Sequence, residues 1–177
     1  MANREALREL QARLAKRLQA AQTEGMSVSW LAVKAGGHNY LLPLGQSGEI
    51  VALTNLQPVP YSKAWFKGVV NIRGGLYGVV DLAGFVGANG GTAPASAPLT
   101  AEASVVTLNA LLEVNCALQV DNLAGLRGSD AFRSTTPAAV DMPGYFGNSF
   151  IDSEGSTWQE INLRALTQFP AFLSIGA

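Results

Sequence analysis

One histidine, one cysteine and thirteen acidic side chains are the material that this 177-residue chain offers for catalysis or metal binding. An acyl-transfer triad needs a nucleophile, a base and an orienting acid, and His38 is the one candidate base. It stands in Gly36-Gly37-His38-Asn39, which reads as a hairpin tip where a histidine is solvent-exposed decoration, and no Gly-x-Ser-x-Gly elbow accompanies it. It is also a poor phospho-acceptor, because histidine kinases present theirs on a helix within a bundle. One histidine and one cysteine are too few for a structural zinc site. Cys116 has no disulfide partner in the chain and lies in an apolar strand pattern, where a buried, inert thiol is expected. Asp81 ends a hydrophobic strand, as the phospho-acceptor of a receiver domain does. No paired acidic residues follow an early strand, however, and no alternating parallel αβ pattern surrounds it, so Asp81 and the similarly placed Asp121 are read as turn caps. The glycines near Gly74 and from Gly84 to Gly91 match neither a phosphate loop nor a dinucleotide fingerprint. No catalytic group, cofactor or metal is expected.

A domain without chemistry acts by contact, through polar or aromatic residues on turns over a rigid scaffold. Arg73 leads that group. The run from Phe66 to Leu82 reads as two buried strands, Val69, Val70 and Ile72 in one and Leu76, Tyr77, Val79 and Val80 in the other, reversed at Gly74-Gly75 with Arg73 displayed at the turn. Two roles stand evenly for Arg73: an internal pair with Glu49 that fixes neighbouring strands, and contact with a partner, which suits the planar guanidinium fork. Among the residues after Pro60, Tyr61 and Lys63 are expected at the surface, and Trp65 and Phe66 inward.

These residues need a scaffold. From about Arg4 to Gln22 the chain reads as an amphipathic helix ending near Gly25, with Leu7, Leu10, Leu14, Leu18 and Ala21 on its packing face. Arg4, Arg8, Arg13, Lys16 and Arg17 are expected on a solvated face rather than at a membrane. Short strand-like runs follow at Val28–Val33, Tyr40–Leu44, Glu49–Leu53, Val69–Ile72 and Leu76–Leu82. The stretch at about 87–103 reads as a flexible loop marking the middle of the chain. Beyond it, Ser104–Leu108, Leu112–Val120, Tyr145–Ile151 and Thr157–Ile161 give a second set of strands, with a turn region through Pro137. Leu163–Phe169 reads as a short terminal helix. Closely spaced short strands indicate small barrels or antiparallel sandwiches, and two joined small β-barrels can share an apolar seam. The expected division is a helix over residues 1–25 and one β domain over 26–177.

Composition narrows the partners. Nearly half the residues are apolar (48%), so a core forms without staples. A net charge of −1 with 14% charged residues argues against nucleic acid. Apolar runs are broken well before the roughly 18 residues that span a bilayer, and the N-terminus reads as a charged helix, so no membrane insertion and a cytoplasmic location are expected.

The strand-turn-strand run has a known counterpart. With Gly48-Glu49-Ile50-Val51, Val59-Pro60 and Asp81-Leu82, it resembles the CheW chemotaxis adaptors, whose signature includes Gly-Val-x-Asn-Leu-Arg-Gly; Ile72 stands for the usual leucine. The likeness continues through Ala117–Leu126 and Ile151–Gly155, covers roughly Ser27 to Phe172, and is greatest to the PilI-type adaptors of type IV pilus twitching. It implies two SH3-like five-stranded barrels and a non-catalytic cytoplasmic adaptor located at receptor arrays. Such an adaptor couples the tip of a methyl-accepting chemoreceptor to the regulatory domain of a chemotaxis-type histidine kinase. In that family the receptor tip docks beside the strand bearing the arginine, and the matching positions here are Glu49, Asn71 and Arg73. The competing expectation is a small-molecule-binding or enzymatic barrel with a pocket at the seam between the halves. A kinase regulatory domain expressed alone shares the same fold.

Overall fold

The computed structural model describes residues 2–24, 29–89 and 104–176. Helix α1 (Ala2–Glu24) opens the chain, as its run of good helix formers predicts. Its packing face is narrower than the leucine stripe: Gln11 and Leu14 are buried and Leu7 and Ala15 half-buried, whereas Leu10 is 41% exposed. At about 100° per residue, Leu10 lies about 40° beyond Leu14 on the side away from Gln11, outside the contact. Gln11 belongs to the inner face because its Nε2 donates to Ser104 Oγ. Arg4, Arg8, Arg13, Lys16 and Arg17 are all exposed.

Strands β1 (Ser29–Ala35), β2 (His38–Pro43), β3 (Ser47–Ala52), β4 (Phe66–Ile72) and β5 (Gly75–Asp81) follow the expected runs. Ala35 pairs with His38, so Gly36-Gly37 makes the turn and His38 is the first residue of β2 rather than the hairpin tip. Next comes α2 (Leu82–Ala88), which the sequence reading missed. After it lie β6 (Ser104–Leu108), β7 (Cys116–Val120), β8 (Asn122–Gly128), β9 (Phe132–Thr136), β10 (Phe146–Asp152) and β11 (Thr157–Ile161). Helices α3 (Leu163–Gln168) and α4 (Pro170–Leu173) close the order. The expected flexible loop falls mostly outside the described residues, and its first two positions, Gly87 and Ala88, are the last turn of α2. The presumed turn region through Pro137 holds β8 and β9. Glycine interrupts the pattern of β8, and the exposed polar run Arg133–Thr136 gives β9 no apolar alternation to read. The strand expected from Leu112 begins at Cys116, because Ala110–Leu112 forms a 3-10 turn capped by Asn109, whose Oδ1 accepts from Leu111 N at 2.9 Å.

The protein is mainly β, in two sheets. One runs β8-β1-β2-β11-β10-β9 and the other β3-β6-β7-β5-β4, so the first has six strands rather than five. Nor do the sheets divide the chain into halves. The five-stranded sheet takes its strands from both sides of the 87–103 stretch, and the six-stranded sheet joins the two ends of the chain through the parallel pair β2–β11.

Alternation along the strands sorts side chains into three cores. In β1, Leu31, Val33 and Ala35 enter a large cluster shared by both sheets, while Trp30 and Ala32 face a smaller one with Leu41, Phe150 and Trp158. In β7, Cys116, Leu118 and Val120 enter the shared cluster and Ala117 faces a third, with Val70, Ile72, Val79 and Val105. Strands β6 and β7 are buried on both faces, which explains why Val105-Val106 and Ala117-Leu118 read as continuous apolar runs. Each fully buried large aliphatic side chain contributes about 1.5 to 3 kcal/mol.

The β10–β11 hairpin is held by Asp152. Its Oδ1 accepts from the backbone N–H groups of Glu154 and Ser156, each at 2.9 Å, and its Oδ2 accepts from Trp158 Nε1 at 2.9 Å. The Trp158 bond first, and then the Ser156 bond, hold this carboxyl below the usual carboxylate range. A carboxyl whose folded pKa lies below its unfolded value of about 3.9 adds stability above that pH, and the contribution is lost as pH falls through the folded pKa. Stability is therefore expected to fall below about pH 4. Asp152→Asn cannot accept the Trp158 N–H while keeping both backbone bonds. It is expected to melt lower near neutral pH and to show a shallower acid-side fall, which denaturant unfolding at the two pH values measures.

Candidate functional site

Arg73 and Glu49 reach each other through the tight turn after β4 and a bulge in β3. In the β4–β5 hairpin Ile72 pairs with Gly75, so the two-residue turn is Arg73-Gly74 rather than Gly74-Gly75. Both turn residues have positive φ, 50° at Arg73 and 83° at Gly74, the combination of a type I′ turn that glycine and asparagine favour. Asn71 supports the turn by accepting from Gly74 N through Oδ1 at 3.0 Å. On the facing edge, the β3–β6 register shifts between Ser47 and Ile50, so that Gly48 and Glu49 together oppose Thr107. This is a β-bulge, which turns Glu49 outward while Ser47 and Ile50 both stay buried. Thr107 Oγ1 accepts from Glu49 N at 2.7 Å. A Cβ on Gly48 would stand 2.3 Å from Thr107 Oγ1 and 3.0 Å from two backbone oxygens, so the bulge needs glycine.

The resulting ion pair joins Arg73 Nε to Glu49 Oε2 at 3.2 Å, with the two side chains 80% and 47% exposed. It lies at a cleft of about 490 Å³ between α1 and β3, lined also by Ala12, Ala15, Lys16 and Asn109. The sequence reading placed Glu49 and Arg73 but missed Lys16, Thr107 and Asn109. A lone glycine inside a strand pattern was the available signal for the bulge.

The five expected contact residues do not form one patch. Glu49, Asn71 and Arg73 share the turn end of β4. Tyr61 and Lys63 lie before the other end of this seven-residue strand, roughly 20 Å along it at about 3.3 Å per residue. Tyr61 is 91% exposed at φ 58°. Lys63 is half-buried, with its ammonium 5.9 Å from the Trp65 ring centroid and its N–H bonded to Ile175 O. Trp65 and Phe66 are buried as expected.

Cys116, Asp121 and Asp81 do not line this cleft. Cys116 is buried, and burial pushes its thiol up to about 12. Asp121 Oδ2 accepts from Gly36 N at 2.8 Å and so caps the β1–β2 turn. Asp81 corrects its expected role: it stands at the N-terminus of α2 but makes no side-chain cap bond, and its buried Oδ2 has no hydrogen-bond partner among the described residues. The seam between the sheets is filled by Phe85, Tyr145, Leu118, Ile161 and their neighbours, so the cleft described above lies elsewhere, under α1. No helix among the described residues is long and apolar enough to cross a membrane.

Comparison with known proteins agrees with this fold. The profile of the CheW-like domain family matches residues 29–170. Protein PilI of Pseudomonas aeruginosa is 30% identical over 165 residues, 92% of this chain and 88% of that protein. Among solved structures, the scaffolding protein TtCheW of Thermoanaerobacter tengcongensis superposes with a TM-score of 0.60 at 14% identity, over 77% of this chain and 89% of that one.

Proposed function

The chain belongs to the CheW-like domain family, and from that membership we propose that it is a cytoplasmic, non-catalytic adaptor in type IV pilus signalling. It bridges the helical tip of a methyl-accepting-type chemoreceptor and the regulatory domain of a chemotaxis-type histidine kinase. The family match and the likeness to PilI support the pilus assignment. The adaptor contributes contact geometry and a coupling free energy between its two partners, rather than turnover.

One observation carries this reading: Arg73 occupies a backbone position that its own fold does not favour. A non-glycine residue held at positive φ costs about 1 to 3 kcal/mol. The exposed pair with Glu49 returns about 0 to 1 kcal/mol. Stability alone therefore favours glycine there, and partner contact explains the arginine. Arg73→Gly is expected to keep or raise the melting temperature and to weaken binding of a receptor-tip helical bundle at least about tenfold, or about 1.4 kcal/mol. Calorimetric titration beside thermal melting tests this. A stable variant that binds as tightly as the parent contradicts the role of Arg73, and a variant that fails to fold marks the residue as structural.

A further inference from the structure

Helix α1 precedes the residues that the family profile matches, which begin at 29, yet it forms one wall of the cleft that holds Arg73 and Glu49. We propose that α1 is part of the docking surface, and that Lys16 takes a carboxylate from an amphipathic helix of the partner laid across this cleft. The inference rests on the adaptor reading and identifies the chemistry of the partner at the same site.

Charge complementarity defines the occupant. Two cations, Lys16 and Arg73, line the cleft against one carboxylate, Glu49. Glu49 is bonded to Arg73, and Lys16 makes no ion pair among the described residues. The cleft thus presents an unneutralised positive charge, which an incoming Asp or Glu complements. Lys16 is held in place by its helix. Leu14 is buried and Gln11 is bonded to Ser104, fixing the rotation of α1, while Ala12 and Ala15 are small and leave the space open. Leu111, 80% exposed next to the cleft residue Ala110, offers an apolar contact beside the charged one, the pairing that the apolar face and flanking carboxylate of an amphipathic helix complement.

The test titrates the full chain with a receptor-tip helical bundle, comparing the parent with Lys16→Glu and Arg13→Glu. Both substitutions change net charge equally at exposed positions of the same helix, but Arg13 does not line the cleft. Lys16→Glu is expected to weaken binding at least tenfold and Arg13→Glu less than threefold, with unchanged helicity in both. Equal effects of the two variants, or none from either, overturn the proposal. If Lys16→Glu binds normally while Arg73→Gly does not, α1 is excluded and the adaptor reading stands. If the parent chain itself does not bind the bundle, both fail. Should Lys16→Glu melt lower, Lys16→Gln decides by the same criterion.

Discussion

Phe85→Ala is expected to destabilise the protein by about 3 to 5 kcal/mol, the range for deleting a large aromatic side chain from a packed core. Phe85 is fully buried in α2 and is the hub of the seam between the sheets. Its ring centroid lies 4.9 Å from that of Trp65, 5.4 Å from Phe172, 5.5 Å from Tyr145 and 6.3 Å from Phe169. Those four rings belong to the segment before β4, the segment before β10 and the C-terminal helices. Removing a side chain that touches all four leaves a cavity whose walls sit on different elements, which limits collapse. Helix α2 is exposed to the loss in a second way. Seven residues with Gly84 and Gly87 inside them have little intrinsic helicity, so burial of Leu82, Phe85 and Val86 holds the helix. Urea unfolding measures the change. A loss below about 1 kcal/mol contradicts the central place given to this ring.

Gly68→Ala is expected to cost about 3 kcal/mol or more, from strain at positive φ together with two displaced backbone hydrogen bonds. Gly68 has φ 138°, and an added Cβ would stand 2.2 Å from Gln57 O and 2.8 Å from Gln57 C. Both neighbours are backbone, so no rotamer change gives relief. They are also held in place, because Gln57 and Val69 exchange both N–H···O bonds at 2.8 Å. The consequence extends along β4. Phe66 pairs with Val80 and Gly68 with Val79, so two residues of β4 oppose one of β5, and the strand changes face at this bulge. That change puts Phe66 in the core shared by the sheets and Val70 and Ile72 in the core of the five-stranded sheet. A shifted register would expose one set and displace the Arg73-Gly74 turn. Gly68→Ala is therefore expected to lose receptor-tip binding together with stability, in contrast to Arg73→Gly, which separates the two. Thermal melting and titration of both variants check the contrast.

The sequence made legible what depends on local rules. Short apolar runs bounded by turn residues located β1 to β7, β10 and β11, and the Ala/Leu/Arg-rich prefix located α1. Elements that exist through tertiary context were hidden. Helix α2 contains two glycines and forms by burial, and β9 is an exposed edge strand with no apolar alternation. The order of strands was also out of reach, since the parallel pairs β2–β11 and β5–β7 join segments far apart in the chain. Glu49, Asn71 and Arg73, expected from the sequence as contact residues, do lie together. The cleft was not legible, because it depends on where α1 settles, and that is fixed by Gln11 and Leu14 rather than by the whole leucine stripe.

Bridging requires that both partners bind one chain at the same time. The direct measurement is titration of the purified chain with the regulatory domain of the chemotaxis-type kinase, repeated with the chain already saturated by the receptor-tip bundle. An adaptor is expected to bind the kinase domain in both titrations, giving a ternary complex in which Arg73→Gly impairs only the receptor arm. Absence of kinase binding by the folded chain, or displacement of one partner by the other, would contradict it.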